Sequence, residues 1–381
     1  MAETAARDGH DVHVFATLNI NAKNFEHLRG VTYHRLAVQL GKHLMAIKPL
    51  KLVKRLNRKL ARALVTLMVP FTKYYVYRKV FAEEIAKLNP DIVHAHDLIC
   101  LPAGHAAAQL SGARLVYDAH ELEVHRNPPL SWIQKRTVSY VERKYSRKAD
   151  SVITVGRFVG KELGRHIRRN DINIIYNSPE ITECPSNIRR DIGINEETPL
   201  AIYVGKVTEG RGIRIMLDLL PNLPGMVFAA IGPSDPLARA KLEEYAMSKD
   251  LIHRFHILPP VPANQVVSYI RGADIGIISV EPVTLSYQYS MPNKLFEMSF
   301  ADIPILANKL DEIEEFIAEL GNGEICDFEE DRHSMPYYIS RMVSQKQKYK
   351  MNESSKKLLY DKYSWDTQTI KISDIYSSLA D

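Results

Sequence analysis

This sequence predicts two open α/β domains, each a doubly wound parallel sheet covered by helices, and three observations carry that expectation. From residue 11 short apolar runs alternate with helical stretches: DVHVFA, a long helical region, then DIVHAH, RLVYDAH, SVITV and INIIYN. Runs this short and this rich in Val and Ile, separated by helical stretches, are the pattern of parallel strands buried on both faces. A second series of the same kind starts near Leu200, with LAIYVG, MVFAAIG, RFHIL, IGIISV and IPILAN. Between the two series, SPEITECPSNIRRDIGINEET at 178–198 is polar, holds two prolines and has no period. The expected organisation is therefore a first domain over 1–177, a linker over 178–198, a second domain over 199–355 and a helical tail over 356–381.

A chain of 381 residues is long enough for two such domains. Its 45% hydrophobic and 25% charged residues exclude disordered and fibrous classes. The cysteines are Cys100, Cys184 and Cys326, odd in number and far apart, so they form neither a disulfide framework nor a zinc-ligand spacing. A reducing, cytoplasmic compartment fits them. The longest nearly uncharged apolar run, Ala63 to Phe71, is less than half of the roughly 20 residues that a spanning helix needs. The first ten residues, MAETAARDGH, lack the apolar core of a signal peptide.

At the start of the chain, residues 1–9 read as the end of a helix whose turn at Gly9 and His10 leads into DVHVFA. A doubly wound domain normally places a strand and a glycine-rich turn before that helix, so the first strand is expected to be missing.

Two stretches of the second half carry chemistry. In YVGKVTEGRG, Tyr203 to Gly212, Gly205 permits close approach of backbone to a ligand, and Lys206 and Arg211 leave the same strand-end loop with cationic tips suited to a diphosphate. Read alone, the same loop is more often two ordinary surface cations. In SMPNKLFEMSFADIPILAN, Ser290 to Asn308, Pro292 suits the first turn of a helix whose free amides can bind hydroxyls or phosphate. Glu297, one to two turns inside, has two carboxylate oxygens able to accept both hydroxyls of a ribose.

Taken together these stretches resemble the donor-binding half of family 4 glycosyltransferases. IGPS at Ile231 to Ser234 resembles the family's glycine turn after the second strand, and ADIGIIS at Ala273 to Ser279 the strand before the donor helix. In the first half, PDIVHAHD, LVYDAHE, ADSVITVG and IIYNSP resemble family strand-end motifs in the expected order. The likeness spans about residues 1–378. It implies the GT-B fold: two Rossmann-like domains facing across a cleft, with a C-terminal helix crossing back. It implies a retaining enzyme that moves a sugar from a nucleotide diphosphate sugar, with no metal or other cofactor required. No convincing Asp-x-Asp metal-ligand pair is present.

The resemblance puts Lys206 and Arg211 on the diphosphate, Glu297 on the ribose, and backbone amides around Met291, Pro292, Asn293, Lys294 and Leu295 on the donor sugar and phosphate. Gly205, Gly232 and Asn177 join the substrate-binding set. His120 matches the family's active-site histidine, with His94 and His96 competing for the role. The family's Glu-x7-Glu pattern has Tyr289 at its first position here, so sugar contacts fall to Tyr289, Ser290 or backbone groups.

Charge is distributed unevenly. Between His27 and Ala82 stand 13 Lys or Arg and no Asp or Glu, so the net charge of +5 is local, the rest being 37 minus 45, or −8. In LKLVKRLNRKLARALVTLM, 50–68, apolar residues at 53, 56, 60, 64 and 67 share a helix face, and the basic residues fall largely on others. Such a helix suits an anionic membrane surface, or equally a domain core with a solvated basic face. Nucleic acid ranks lower, since no nucleic-acid motif accompanies the charge. The expected protein is a cytoplasmic enzyme, peripheral at the inner membrane face, acting on a polysaccharide or lipid-linked acceptor. The alternatives are a nucleotide-sugar epimerase of the same fold and a catalytically silent binding homologue.

Overall fold

The computed structural model describes residues 1–19, 22–38 and 58–380, with side chains described from residue 71 in the last segment. The basic stretch at 50–68 thus lies outside the described residues, apart from the backbone of its second half, which begins the helix Arg58–Ala86. The chain forms two compact units. The first holds Met1–Ile175, Thr284–Ser286 and Thr369–Asp381, and the second holds Tyr176–Val283 and Tyr287–Gln368.

In the first unit two sheets form. Strands β1 (Val12–Thr17), β2 (Phe25–Leu28) and β3 (Val31–Leu36) make one, in the order β1-β3-β2, with β1 parallel and β2 antiparallel to β3. This corrects the expectation of a helical region directly after DVHVFA. Residues 25–36 are instead a hairpin whose turn residues Arg29 and Gly30 have φ of 51° and 79°. Left-handed turn residues match the twist of the flanking strands, and a glycine accepts that conformation without strain.

The second sheet is fully parallel, in the order β4 (Ile92–His96), β5 (Arg114–Ala119), β6 (Ser151–Thr154), β7 (Ile172–Ile174). Its register sets His96 directly opposite Asp118. Helix Asp97–Ser111 leaves β4 at once and closes at Gly112, φ 79°. A methyl group at Gly104 of that helix would lie 3.0 Å from Ala95 on β4, so the small residue lets helix and sheet approach closely. Helix Trp132–Ser146 is started by Ser131 and Gln134, whose side chains reciprocally bond each other's backbone amides.

The second unit is a single six-stranded parallel sheet in the order β10-β9-β8-β11-β12-β13. The strands are β8 (Leu200–Val204), β9 (Val227–Ile231), β10 (Phe255–Leu258), β11 (Ile275–Ile278), β12 (Ile305–Asn308) and β13 (Gly323–Cys326). The first strand in sequence is central, the next two lie to one side and the last three to the other. The winding direction therefore reverses between β8 and β11, and sheets of this kind bind ligands beyond the strand carboxyl ends at that point. Tyr203, Leu217, Phe228, Ile277 and Leu306 are buried in the core that holds the sheet and its helices together.

Residues 178–198, expected as a linker, are built into this unit. They contain the helix Ile188–Ile192, and Arg189 is 3% exposed. Its guanidinium pairs with Asp274 at 2.6 Å and donates to the carbonyls of Gly272 at 2.7 Å and Thr198 at 2.9 Å. Asp274 also accepts the Leu200 amide at 2.9 Å and pairs with Lys346 at 2.7 Å. The polar segment is ordered because a buried cation in it has acceptors on three sides, which composition alone does not reveal.

Removing one partner of such a pair leaves the other charged, buried and short of hydrogen bonds. Arg189→Ala is expected to destabilise the second unit by about 3 kcal/mol in urea denaturation, toward the low end for buried pairs because Lys346 still faces Asp274. An unchanged midpoint would show that the pair does not hold this segment.

Candidate functional site

At the reversal point of the second unit two strand ends meet through glycines. Gly205 follows β8 with φ 127° and Gly232 follows β9 with φ 144°. The Gly205 amide donates to the Ile231 carbonyl at 2.9 Å, and a methyl group on Gly232 would sit 2.1 Å from the Gly205 carbonyl oxygen. No residue with a side chain fits there, so the strand ends present bare backbone. Lys206, exposed, follows, and its carbonyl accepts from the Tyr203 hydroxyl at 3.1 Å. The loop ends at Arg211, also exposed, whose carbonyl accepts from Ser279 Oγ at 2.6 Å. Ser279 stands just past β11, so this bond ties the loop from β8 to the strand on the other side of the reversal point.

The helix Asn293–Phe300 supplies the other wall of the site. Pro292 is its N-cap, one position outside the first turn expected for it. The Leu295 amide is taken by the Pro292 carbonyl at 2.9 Å and Pro292 has no N–H, so of the expected amide donors Met291, Asn293 and Lys294 remain. Asn177 donates to Asn293 Oδ1 at 2.8 Å, so the motif IIYNSP reaches this helix start. Met291 is buried, Tyr289 half-buried, and Ser290 Oγ donates to the Tyr287 carbonyl at 2.8 Å.

Lys294 is expected from the motif only as part of a helix start. Its ammonium in fact lies 3.8 Å above the centre of the Tyr203 ring, within cation–π range. Burial, then the Arg211 charge nearby, push Lys294 down to about 7, while burial raises Glu297, one turn further along, to about 7 against the pull of Lys294. Lys294 thus stands 3.7 Å from where a methyl group on Gly205 would sit, with the Arg211 charge and the Glu297 carboxyl acting on it, and Lys206 follows Gly205 directly in the chain.

In the first unit, His94, His96, Asp118 and His120 come together at the carboxyl ends of β4 and β5. Asp118 is fully buried. Its Oδ2 lies 3.0 Å from His120 Nε2, 3.1 Å from His96 Nδ1 and 3.4 Å from His94 Nε2. Burial opposes ionisation of Asp118, yet the bonds from His120, His94 and His96 hold it well below the usual carboxylate range. The bond to Asp118 raises His120, whereas burial lowers His94. The other nitrogen of His94 faces the Tyr376 hydroxyl at 2.6 Å. The expected competition among three histidines resolves into one cluster around a single carboxylate. Nearby Glu123 is buried and raised to about 7 by burial, with Glu121 adding to the effect. Asp118, Tyr376 and Glu123 are additions to the expected residues; the alternation H-x-H on β4 and D-x-H on β5 is the trace of the first in sequence.

Two Rossmann-like units, one ending its strands in glycines ringed by cations, define a class: transferases that use nucleotide-activated donors. Known proteins agree with that assignment. Residues 1–180 match the model of Glycosyltransferase Family 4, and residues 186–358 that of Glycosyl transferases group 1. An uncharacterized glycosyltransferase of Methanocaldococcus jannaschii is 21% identical over 395 residues, covering 99% of this chain and 92% of the relative. Sucrose-phosphate synthase from Thermosynechococcus elongatus superposes with a TM-score of 0.74 at 16% identity, covering 99% of this chain and 91% of that one. HepE of Anabaena in complex with UDP-glucose superposes with a TM-score of 0.63 at 16% identity, covering 78% and 82%. The chain belongs to glycosyltransferase family 4, and it is a glycosyltransferase of GT-B fold that uses a nucleotide-sugar donor.

The two half-buried ionisable groups set opposite pH dependences. Glu297 stabilises the folded chain while protonated; that contribution is complete below 4.5 and is lost as pH rises through about 7. Lys294 disfavours folding while protonated, and the penalty lifts as pH rises from about 7 toward 10.5. In urea denaturation of the unliganded chain, stability relative to Lys294→Met should therefore rise from pH 7 to 9. Relative to Glu297→Gln it should fall from pH 5 to 7. Differences that stay constant across both windows would contradict the burial of these groups.

Proposed function

We propose that the chain is a retaining transferase that moves a sugar from a nucleotide diphosphate sugar to a polysaccharide or lipid-linked acceptor at the cytoplasmic membrane face. The observation that carries the donor half is the bare backbone of Gly205 and Gly232 with Lys294 beside Gly205, Arg211 acting on Lys294, and Lys206 next in the chain to Gly205. HepE, of similar fold, is seen with UDP-glucose, which supports a donor of that type. Bare strand ends let a diphosphate approach the backbone, and the amides of Asn293 and Lys294 aim a helix start at it. Glu297 is assigned to the ribose hydroxyls, and the region around Tyr289, Ser290 and Met291 to the sugar. His120 takes the sugar-facing role that the family resemblance gives it.

As the anomeric carbon–oxygen bond breaks, the electron pair leaves with the nucleotide diphosphate, and negative charge grows on the phosphate. Fixed cations and helix-start amides stabilise that charge more than they stabilise the bound donor, which is how such a site accelerates transfer. The scheme draws its positive charge from Lys206, Arg211, Lys294 and the helix start, and assigns no step to a divalent ion.

Support for a membrane acceptor comes from the exposed face of helix Trp132–Ser146. A surface depression of about 730 Å³ is lined there by Arg136, Arg143, Lys144, Arg147, Lys148 and Arg168, which caps the helix Arg157–Ile167. Trp132 and Tyr140 on the same helix are 69% and 58% exposed, with Arg136 and Lys144 each 5.7 Å from the ring beside it. Aromatic rings beside cations suit the headgroup layer, where each basic residue contributes on the order of 1 kcal/mol. Among the described residues, no helix is long and apolar enough to cross a membrane.

With a panel of UDP, GDP and ADP sugars, the purified chain should hydrolyse or transfer one donor class in the presence of EDTA. Lys206→Ala and Arg211→Ala should each lower kcat/KM roughly 10²-fold, the scale of losing one charge-stabilising group. Turnover that the two substitutions leave intact would remove the diphosphate assignment.

Co-sedimentation with vesicles of phosphatidylglycerol and phosphatidylcholine should weaken as salt is raised. It should weaken further when Arg143 and Arg147 are changed to Glu. Equal binding by that double variant would move the membrane surface elsewhere.

A further inference from the structure

We propose that the cluster at the carboxyl ends of β4 and β5 is a binding site for a divalent transition-metal ion of the zinc type, held by His94 Nε2, His96 Nδ1 and Asp118 Oδ2 and closed by His120 Nε2. The ligand atoms of His94, His96 and Asp118 all lie within 4.8 Å of one another. From Asp118 Oδ2 the three imidazole nitrogens stand at 3.0, 3.1 and 3.4 Å, and His96 Nδ1 stands 3.4 Å from His120 Nε2. A tetrahedron with metal–ligand bonds near 2.0–2.1 Å has edges of about 3.3–3.4 Å. The three separations from the carboxylate oxygen and the His96–His120 separation are close to such edges, and three imidazoles with one carboxylate suit that class of ion.

Hydrogen bonding within the protein does not account for the arrangement. Asp118 Oδ1 is buried with no hydrogen-bond partner, and buried His94 Nε2 has only its long 3.4 Å contact with Asp118 Oδ2. Two nitrogens, His96 Nδ1 and His120 Nε2, also converge on the same carboxylate oxygen while facing each other. An ion at the centre takes the lone pair of His94 Nε2 and the lone pairs of both other rings. The outer contacts agree: once Nε2 is a ligand, His94 Nδ1 carries the hydrogen and donates to the Tyr376 hydroxyl at 2.6 Å, the orienting bond that metal-bound histidines usually make. The ligands sit on or just past paired strands, with His96 opposite Asp118, so little ordering is left for binding to impose. His96 and His120 are 48% and 46% exposed above the fully buried carboxylate, which gives the ion a way in from solvent.

Such an ion would occupy Nε2 of His120, the residue given the sugar-facing role above. Resting on that reading, it acts as a reversible inhibitor of transfer rather than as its cofactor.

The test uses the full chain stripped with EDTA and titrated with Co(II), then with Zn(II) in competition. The expected result is a visible absorption band of tetrahedral intensity that saturates at one equivalent and is bleached by Zn(II). His96→Ala and His120→Ala, both at exposed positions, should each weaken Zn(II) binding by at least about tenfold, since loss of even an outer-shell partner costs that much. Their metal-free chains should still melt cooperatively, so that the lost affinity is not lost folding, and Asp118→Asn should abolish the band. No band, or an affinity indifferent to both histidine substitutions, overturns the site. Zn(II) bound by the parent chain without inhibiting transfer overturns the role of His120 and leaves the metal site standing. A chain with no transfer activity removes the inhibitory clause alone, because the absorption titration needs no turnover.

Discussion

The close approach of two backbone turns, at Gly205 and Gly232, is the constraint on which the donor half depends. Where a methyl group on Gly232 would lie 2.1 Å from the Gly205 carbonyl, the ends of β8 and β9 are forced to be bare. Bare ends let Lys206 and Arg211 leave the sheet on one short loop, and the bond from Ser279 to the Arg211 carbonyl fixes where that loop stops. Above Tyr203 lies the ammonium of Lys294, 3.7 Å from where a methyl group on Gly205 would sit. The steric condition on the glycines gives the bare backbone that a charged ligand can approach, beside the cations of the same loop and the next helix.

Each unit also depends on one buried carboxylate. In the second unit Asp274 joins the polar segment 178–198 to the start of β8 through Arg189 and the Leu200 amide. Asp118 in the first unit gathers three histidines at the ends of two strands. The two differ in what surrounds them. Asp274 is met by permanent cations, Arg189 and Lys346, and is structural. Asp118 is met by rings whose nitrogens can bind a proton, a hydroxyl or a metal, so chemistry gathers around it.

Much of the second unit is legible in the sequence, because a strand buried on both faces must be apolar, as LAIYVG, MVFAAIG and IGIISV are, whereas RFHIL, with Arg254 and His256, forms the edge strand β10. The loop cations and Glu297 were legible too, through their place after a strand or inside a helix start. Lys294 shows where that reading stops: its position over Tyr203 depends on how the helix lies on β8, which no spacing within PNKLFE encodes. Cooperation of the three histidines likewise depends on the β4–β5 register, although their strand-end positions were plain. The hairpin at 25–36 was missed because its polar alternation, FEHL and VTYHRL, is weaker than that of the buried strands and was absorbed into the helical region that follows. The polarity of segment 178–198 points to a linker and says nothing of a buried arginine.

The central claim is that a nucleotide diphosphate is held by the glycine strand ends and the start of helix Asn293–Phe300. Amide hydrogen exchange, with and without a saturating nucleotide diphosphate, tests it most directly. The account predicts slowed exchange at residues 205–213 and 291–297 of the second unit, and little change along β12 and β13. Binding that leaves both segments unprotected, or protection confined to other parts of the chain, would contradict it.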